Sequence, residues 1–582
     1  MRHCLTGVRA ALFTLGLFCH GALAAGLTYN VEIDAPKALK ERLQKGLNIV
    51  RWKNDPEMNT ERLKRLVDEA VRESKEAAAT EGYFSAQVTS DVDSAAEPWT
   101  VRIRIAPGER TKVDHVEIRF LGPGATDGEA RPTRERVQEG WSLRKGEPFR
   151  QEDWNDAKRR AVRTLSGWRY AAADIAKSEA DIDPEGRKAS LLVELESGPP
   201  FRFGELHVSG TKRYSDALVE NLAPMKPGET YDRDKVTLYT RRLLESGYFA
   251  SVQAEVDSQT SAAEATPLRV AVIEAPQHHF ESGIGYNTDV GPKLEARYTN
   301  QDVFSRAWRF GSQLNIDEKI KNLAVNLDTP PRPGGVWNSF FARAREEDIQ
   351  NELTREQSFG HLYNIGASAA PTSLITSVHF DESHIVGGAA DDRHAVYFGV
   401  KKAFRKTDAL VSPREGYYAT AEIGGSPEQL STRSFLRGVV TGSLFFPVQR
   451  NGDLLFRGQV GLVGSSARQG IPSTFLFRTG GDQTIRGYAF ESIGVEQDGA
   501  IVGGRRLLIG SIEYTQWIGE GWGLATFVDS GSAWDSGANT TVATGYGVGV
   551  RVRTPIGPIR ADLAYGALNS DWRIHFSVGY GF

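Results

Sequence analysis

The chain has 582 residues, a net charge of −4, a pI near 6.3 and a mean hydropathy of −0.38. That length calls for several domains, and the charge balance gives no sign of a nucleic-acid partner. The polar average excludes a bundle of membrane helices but not a membrane barrel, whose strands put only every second residue into lipid.

The N-terminus reads as a secretory signal peptide, residues 1–24. A basic MRHCLTGVRA leads to the short apolar run ALFTLGLF and to GALAAG, with cleavage expected after Ala24 or Ala25. The only cysteines are Cys4 and Cys19. The exported chain is therefore expected to carry no disulfide, and thiol chemistry and cysteine–metal sites are excluded.

From about 27 to 275, helical and strand patterns alternate. ERLKRLVDEAVRESKEAAA (61–79) carries apolar residues at helical spacing, and WTVRIRIAPG (99–108) alternates as a strand does. EGYFSAQVTSDVD (81–93), SGWRYAAADIAKSEADID (166–183) and SGYFASVQAEVD (246–257) share one grammar: a helix stopped at Gly82, Gly167 or Gly247, then an aromatic, then a strand. Each continues into a second strand: VRIRIAPGE, SLLVELESGP and LRVAVIEAP. Three β-α-α-β-β units are expected, at 26–109, 111–199 and 201–275.

From 277 to 582 the period changes to two, as expected of a membrane barrel of about sixteen antiparallel strands. His278 and His279 read as linker residues at its entry. The dipeptide Asn451–Gly452 marks a hairpin. Between LLFRGQVGLVG (454–464) and RLLIGSIEY (506–514) lies a polar, glycine-dotted connection of about forty residues. Loops longer than about 12–15 residues are usually functional or disordered. In 506–514, Leu508, Ile512 and Tyr514 alternate outward, which turns Glu513 to the lumen. In 522–530, Trp522, Leu524 and Val528 do the same for Asp529. IRADLAY (559–565) sets Arg560 and Asp562 on the inner side. The final DWRIHFSVGYGF puts Trp572, Ile574, Phe576, Val578, Tyr580 and Phe582 on one face; Asp571, Arg573, His575, Ser577, Gly579 and Gly581 take the other.

Tandem repeats, a C-terminal barrel ending in phenylalanine, and IRGY (485–488) in a long loop together resemble the BamA/TamA family of outer-membrane assembly proteins. The repeats look like POTRA domains, and GSIEY (510–514) and FVDSG (527–531) resemble two further barrel motifs of the family. The resemblance implies that Arg486, Gly487 and Tyr488 fold back into the barrel, where Glu513 and Asp529 hold the arginine. It also implies a seam between FESGIGYNTD (280–289) and the last strand, where Gly579 and Gly581 would weaken pairing. Three repeats are most similar to the TamA branch. BamA proper usually has five, and two-partner secretion transporters have two behind a plug helix, for which LTYNVEID (27–34) leaves no room.

The implied activity is insertion or translocation of other outer-membrane proteins, autotransporters among them. The implied partners are unfolded clients, outer-membrane lipid and an inner-membrane-anchored TamB-like protein, with the repeats in the periplasm; the competing reading is a secretion or passive pore. No catalysis, cofactor or metal is expected: GxSxG, HExxH and Walker A motifs are missing from the sequence. FVDSG also matches an aspartic-protease signature, but Asp529 and Asp535 lie in one strand and turn rather than on paired lobes.

Overall fold

The computed structural model describes residues 27–366, 368–409, 413–449, 451–519, 521–535, 541–554 and 559–578. The signal-peptide reading and the final Gly579, Tyr580, Gly581 and Phe582 lie outside the described residues. Two compact units emerge. One runs to Phe201 and takes in Gln259–Ala263; the other comprises Arg202–Ser258 and everything from Glu264 onward.

Each repeat is a three-stranded sheet backed by helices. In the first, Trp99–Ala106 lies between a parallel Tyr29–Asp34 and an antiparallel Gln87–Asp93. The helix Thr60–Thr80 starts at Asn59, whose side chain accepts the N–H of Arg62 at 2.9 Å. It buries Leu63, Val67, Ala70, Ser74 and Ala78 at i, i+4 and i+7 spacing against that sheet. A short extra helix, Asn48–Arg51, precedes it. The second repeat places Lys188–Glu196 between Lys112–Leu121 and Asp174–Asp183. The third places Thr266–Glu274 between Phe203–Ser209 and Phe249–Val256.

The repeated glycine is not the same device each time. Gly82 and Gly247 take positive φ, 90° and 78°, as helix stops do, whereas in the second repeat the positive φ falls on Arg169 instead of Gly167. There the helix ends at Leu165 and the chain turns two residues beyond the glycine.

The rest of the second unit is a closed antiparallel barrel of sixteen strands among the described residues, from His278–Asn287 to Asp571–Val578. His278 and His279 are not linker residues. Both pair in the ladder, opposite Asn300 and Thr299. Apolar side chains such as Leu508, Ile512, Leu524, Val528, Trp572 and Ile574 face outward and stay exposed, while Glu352, Glu356, Asp381, Asp529, Asp562 and His575 are buried inside. That is the alternation of a barrel with a lipid-facing exterior and a polar lumen. The third repeat is fastened to the strand ends it feeds: Arg309 donates to the carbonyl of Ser246 at 2.8 Å and pairs with Asp328 at 2.7 Å, and Tyr248 donates to the carbonyl of Ala307 at 2.8 Å. The long connection, 465–505, joins the strands Gly452–Gly464 and Arg506–Ile518 at the opposite end of the barrel.

Candidate functional site

The long loop does not stay outside. Ile471, Phe475, Phe477, Ile485 and Tyr488 form one buried cluster with wall residues Tyr397, Phe435, Val463, Leu507 and Ile509. Phe475 meets the rings of Tyr397 and Phe435 at centroid separations of 4.9 and 4.8 Å. Apolar side chains of a polar-looking loop thus gain burial only by entering the lumen.

Arg486 is 2% exposed. Its guanidinium grips Asp529 at both oxygens, Nε to Oδ2 at 2.7 Å and Nη2 to Oδ1 at 2.9 Å, and donates to Glu513 Oε2 at 2.6 Å. The two carboxylates picked out by strand parity therefore do meet the loop arginine. A third was not paired with it in the sequence: Asp562 Oδ2 lies 3.4 Å from Nη1. Arg551 bridges Glu513 and Asp562 at 2.9 and 2.6 Å. Arg457 reaches Asp529 through the Ser511 hydroxyl, which donates to Oδ1 at 2.6 Å. Three arginines and three carboxylates thus close into a neutral buried network, the condition under which such charges are tolerated in low dielectric. Strand parity sets Asp562 on the inner side; which cation it meets depends on the barrel's stagger, which parity does not carry.

Two glycines make the approach possible. Gly487 has φ +91°, and a Cβ there would stand 2.8 Å from the backbone N of Gly566. At Gly545 a Cβ would collide with the carbonyl oxygen of Arg486. Tyr488 donates to the carbonyl of Thr544 and accepts the N–H of Leu568, both at 3.0 Å.

A second arginine fastens the other side of the loop. Arg478 contacts Glu352 and Glu491 at 3.0 Å and Glu347 at 3.4 Å, and Ser473 donates to Asp381 through its N–H and its hydroxyl at 3.0 and 2.7 Å. No motif in the sequence marked Arg478. Asp529 and Asp535 are each held by arginines, Asp535 by Arg505 and Arg468, and so do not form a proton-sharing pair.

At the seam, the first and last strands share two register pairs among the described residues, Tyr286↔Val578 and Asn287↔Ser577; the first hairpin runs in register from His278↔Asn300 to Asn287↔Gly291. Beyond those two pairs, Thr288 donates its N–H to the carbonyl of Phe576 at 3.0 Å. The rings of Tyr286 and Phe576 meet across the seam at 6.4 Å. The pairing expected at Gly579 and Gly581 falls outside the described residues.

The family model described as the Omp85 superfamily domain matches residues 285–582. The chain belongs to the Omp85 superfamily. Two repeat models match as well: a surface antigen variable number repeat (POTRA) over 201–273 and POTRA domain TamA domain 1 over 30–107. This Omp85 chain is similar to the outer membrane protein assembly factor BamA of Neisseria meningitidis, 22% identical over 68% of this chain and 58% of that protein. It is likewise similar to BamA of Nitratidesulfovibrio vulgaris, 22% identical over 83% of this chain and 63% of that one. The chain thus spans about six-tenths of the length of these relatives. A crystal structure of Haemophilus ducreyi BamA lacking POTRA domains 1–3 shares the fold, with TM-score 0.57 at 14% identity, covering 81% of this chain and all of that one.

Proposed function

We propose that this Omp85 protein is an outer-membrane assembly factor of the TamA type, which inserts or translocates other outer-membrane proteins, autotransporters among them. The observation that carries the reading is the seam. Among the described residues the first and last strands share two register pairs, while Arg486 and Arg478 pin a forty-residue loop inside the barrel they close. A client strand pairing along the edge of His278–Asn287 satisfies backbone groups that are costly to leave bare in lipid. Client folding then supplies the free energy, with no nucleotide required.

The match of 30–107 to a TamA-type first POTRA domain supports the TamA branch. It supports, too, a periplasmic setting for the repeats and an inner-membrane-anchored TamB-like partner. The test is the folding rate of an unfolded autotransporter barrel added to liposomes containing this protein, read by protease protection against liposomes with an unrelated barrel. Acceleration is expected. Ion conductance without acceleration would favour a secretion pore.

A further inference from the structure

The arginine network holds the loop to strands late in the barrel, but a separate group of contacts reaches the seam itself. Extending the register Asn287↔Ser577 by two residues sets Asp289 opposite His575. Both are buried, 3% and 2% exposed. His575 Nδ1 stands 3.3 Å from Asp289 Oδ1, at an angle short of a hydrogen bond, and neither atom has a hydrogen-bond partner among the described residues. On the other side of the ring, Nε2 accepts the N–H of Gly487 at 2.9 Å. Asp289 Oδ2 accepts the N–H of Asp482 at 2.6 Å, and Asn287 donates to the Asp482 carboxylate at 2.9 Å. The end of the first strand, the last strand and the loop therefore meet in one buried knot beside Arg486.

We propose that Asp289 and His575 form a clasp joining both seam strands to Gly487, so that parting the seam and freeing the loop are a single event. Because Nε2 accepts from Gly487, the ring proton sits on Nδ1, facing Asp289. Separating the strands removes Asp289 from the ring and its Oδ2 from the Asp482 amide, so the loop loses its hold at two points in the same motion. The charged groups around the ring are Asp289 from the first strand's end, Asp482 and Arg486 from the loop, and Asp562, its register partner on Ile559–Gly566. The clasp rests on the reading of the seam as client entry only for its purpose; its existence is tested without a client.

The experiment is hydrogen exchange on the full-length protein in nanodiscs, corrected for intrinsic rates, followed in 481–488 and in 284–289. Wild type is compared with His575→Phe, His575→Gln and Asp289→Asn, each checked for a folded barrel by heat-modifiable mobility. Losing one buried hydrogen bond corresponds to roughly tenfold faster exchange. His575→Phe is expected to speed both segments together by about that factor. His575→Gln, which keeps an acceptor toward Gly487, is expected to restore protection at 481–488. Asp289→Asn supplies the same comparison should His575→Phe not fold, and is expected to speed both segments. Exchange that rises in the loop alone would overturn the clasp. The liposome assay reports separately: coupled exchange without client folding overturns only the assembly reading, and client folding with uncoupled exchange overturns only the clasp.

Discussion

Arg486 and Asp529 are joined through two parallel hydrogen bonds, 2.7 and 2.9 Å, with the guanidinium carbon 3.3 Å from the centre of the Phe527 ring. A planar fork is needed on both counts, since it matches a carboxylate at two oxygens and lies flat on an aromatic face. Removing one partner of a buried pair costs about 3–5 kcal/mol. Arg486→Ala is accordingly expected to lower the yield of folded barrel, scored by heat-modifiable mobility in membranes. Arg486→Lys should recover little of it, because an ammonium cannot reproduce the fork. Full recovery with lysine would show that charge alone suffices.

Gly487 and Gly545 give a steric test of the same docking. Alanine at either position places a methyl group against backbone, Gly566 N in the first case and the Arg486 carbonyl in the second. Both substitutions should expose the loop to protease from outside the cell while leaving the strands assembled. Loop protection equal to wild type would mean that the loop tolerates a looser seat.

Much of the site was legible because parity is a strong rule in a barrel. Glu513 and Asp529 are lumen-facing by counting alone, and Leu508, Ile512, Leu524 and Val528 on the opposite parity are indeed exposed on the outside. Asp562 and His575 obeyed the same count, yet nothing in sequence says which loop residue a lumen side chain meets. That depends on strand stagger and on the path of 465–505. Buried Phe475 and Phe477 were hidden for a related reason: a loop whose average is polar still carries apolar residues whose destination is tertiary. His278 and His279 were misplaced because a strand's first residues show no alternation to read, and only the ladder with Asn300 and Thr299 fixes them. In the repeats, Gly167 matched its counterparts in sequence but not in φ, the left-handed position falling two residues later, on Arg169.

Arg478 anchors the loop independently of Arg486. Arg478→Ala leaves Glu352, 2% exposed, without its cation. It is expected to raise protease sensitivity around 476–494 while the Arg486 contacts persist. A double substitution, Arg478→Ala with Arg486→Ala, should be more than additive in loss of folded barrel if the loop is held at two ends. Simple additivity would indicate two unrelated stabilising contacts.

Glu81, at the end of the helix Thr60–Thr80, pairs with Arg42 of its own repeat at 2.8 Å and ties the first repeat to the second through Arg150 at 3.0 Å. Burial pushes its carboxyl up, but the hydrogen bonds and charges of Arg150 and Arg42 outweigh this and leave it below its ordinary 4.5. The folded value being the lower one, the tie is fully present above pH 4.5 and is lost as pH falls through the depressed value. Hydrogen exchange of 78–83, corrected for intrinsic rates, should therefore keep its protection from pH 7 to pH 5 and lose it below pH 4.5. Glu81→Gln should flatten that profile; an unchanged acid response in Glu81→Gln would place its origin elsewhere.

Apart from Cys4 and Cys19 the sequence holds no cysteine, so a disulfide can be placed across the seam without competition. Tyr286→Cys with Val578→Cys joins a register pair on the side of the strands away from the arginine network. The decisive measurement is the rate of autotransporter-barrel folding in liposomes containing this double variant, oxidised and then reduced. Folding that stops on oxidation and returns on reduction is the predicted result. Equal acceleration in both states would mean that clients do not enter through the seam, and would contradict the account.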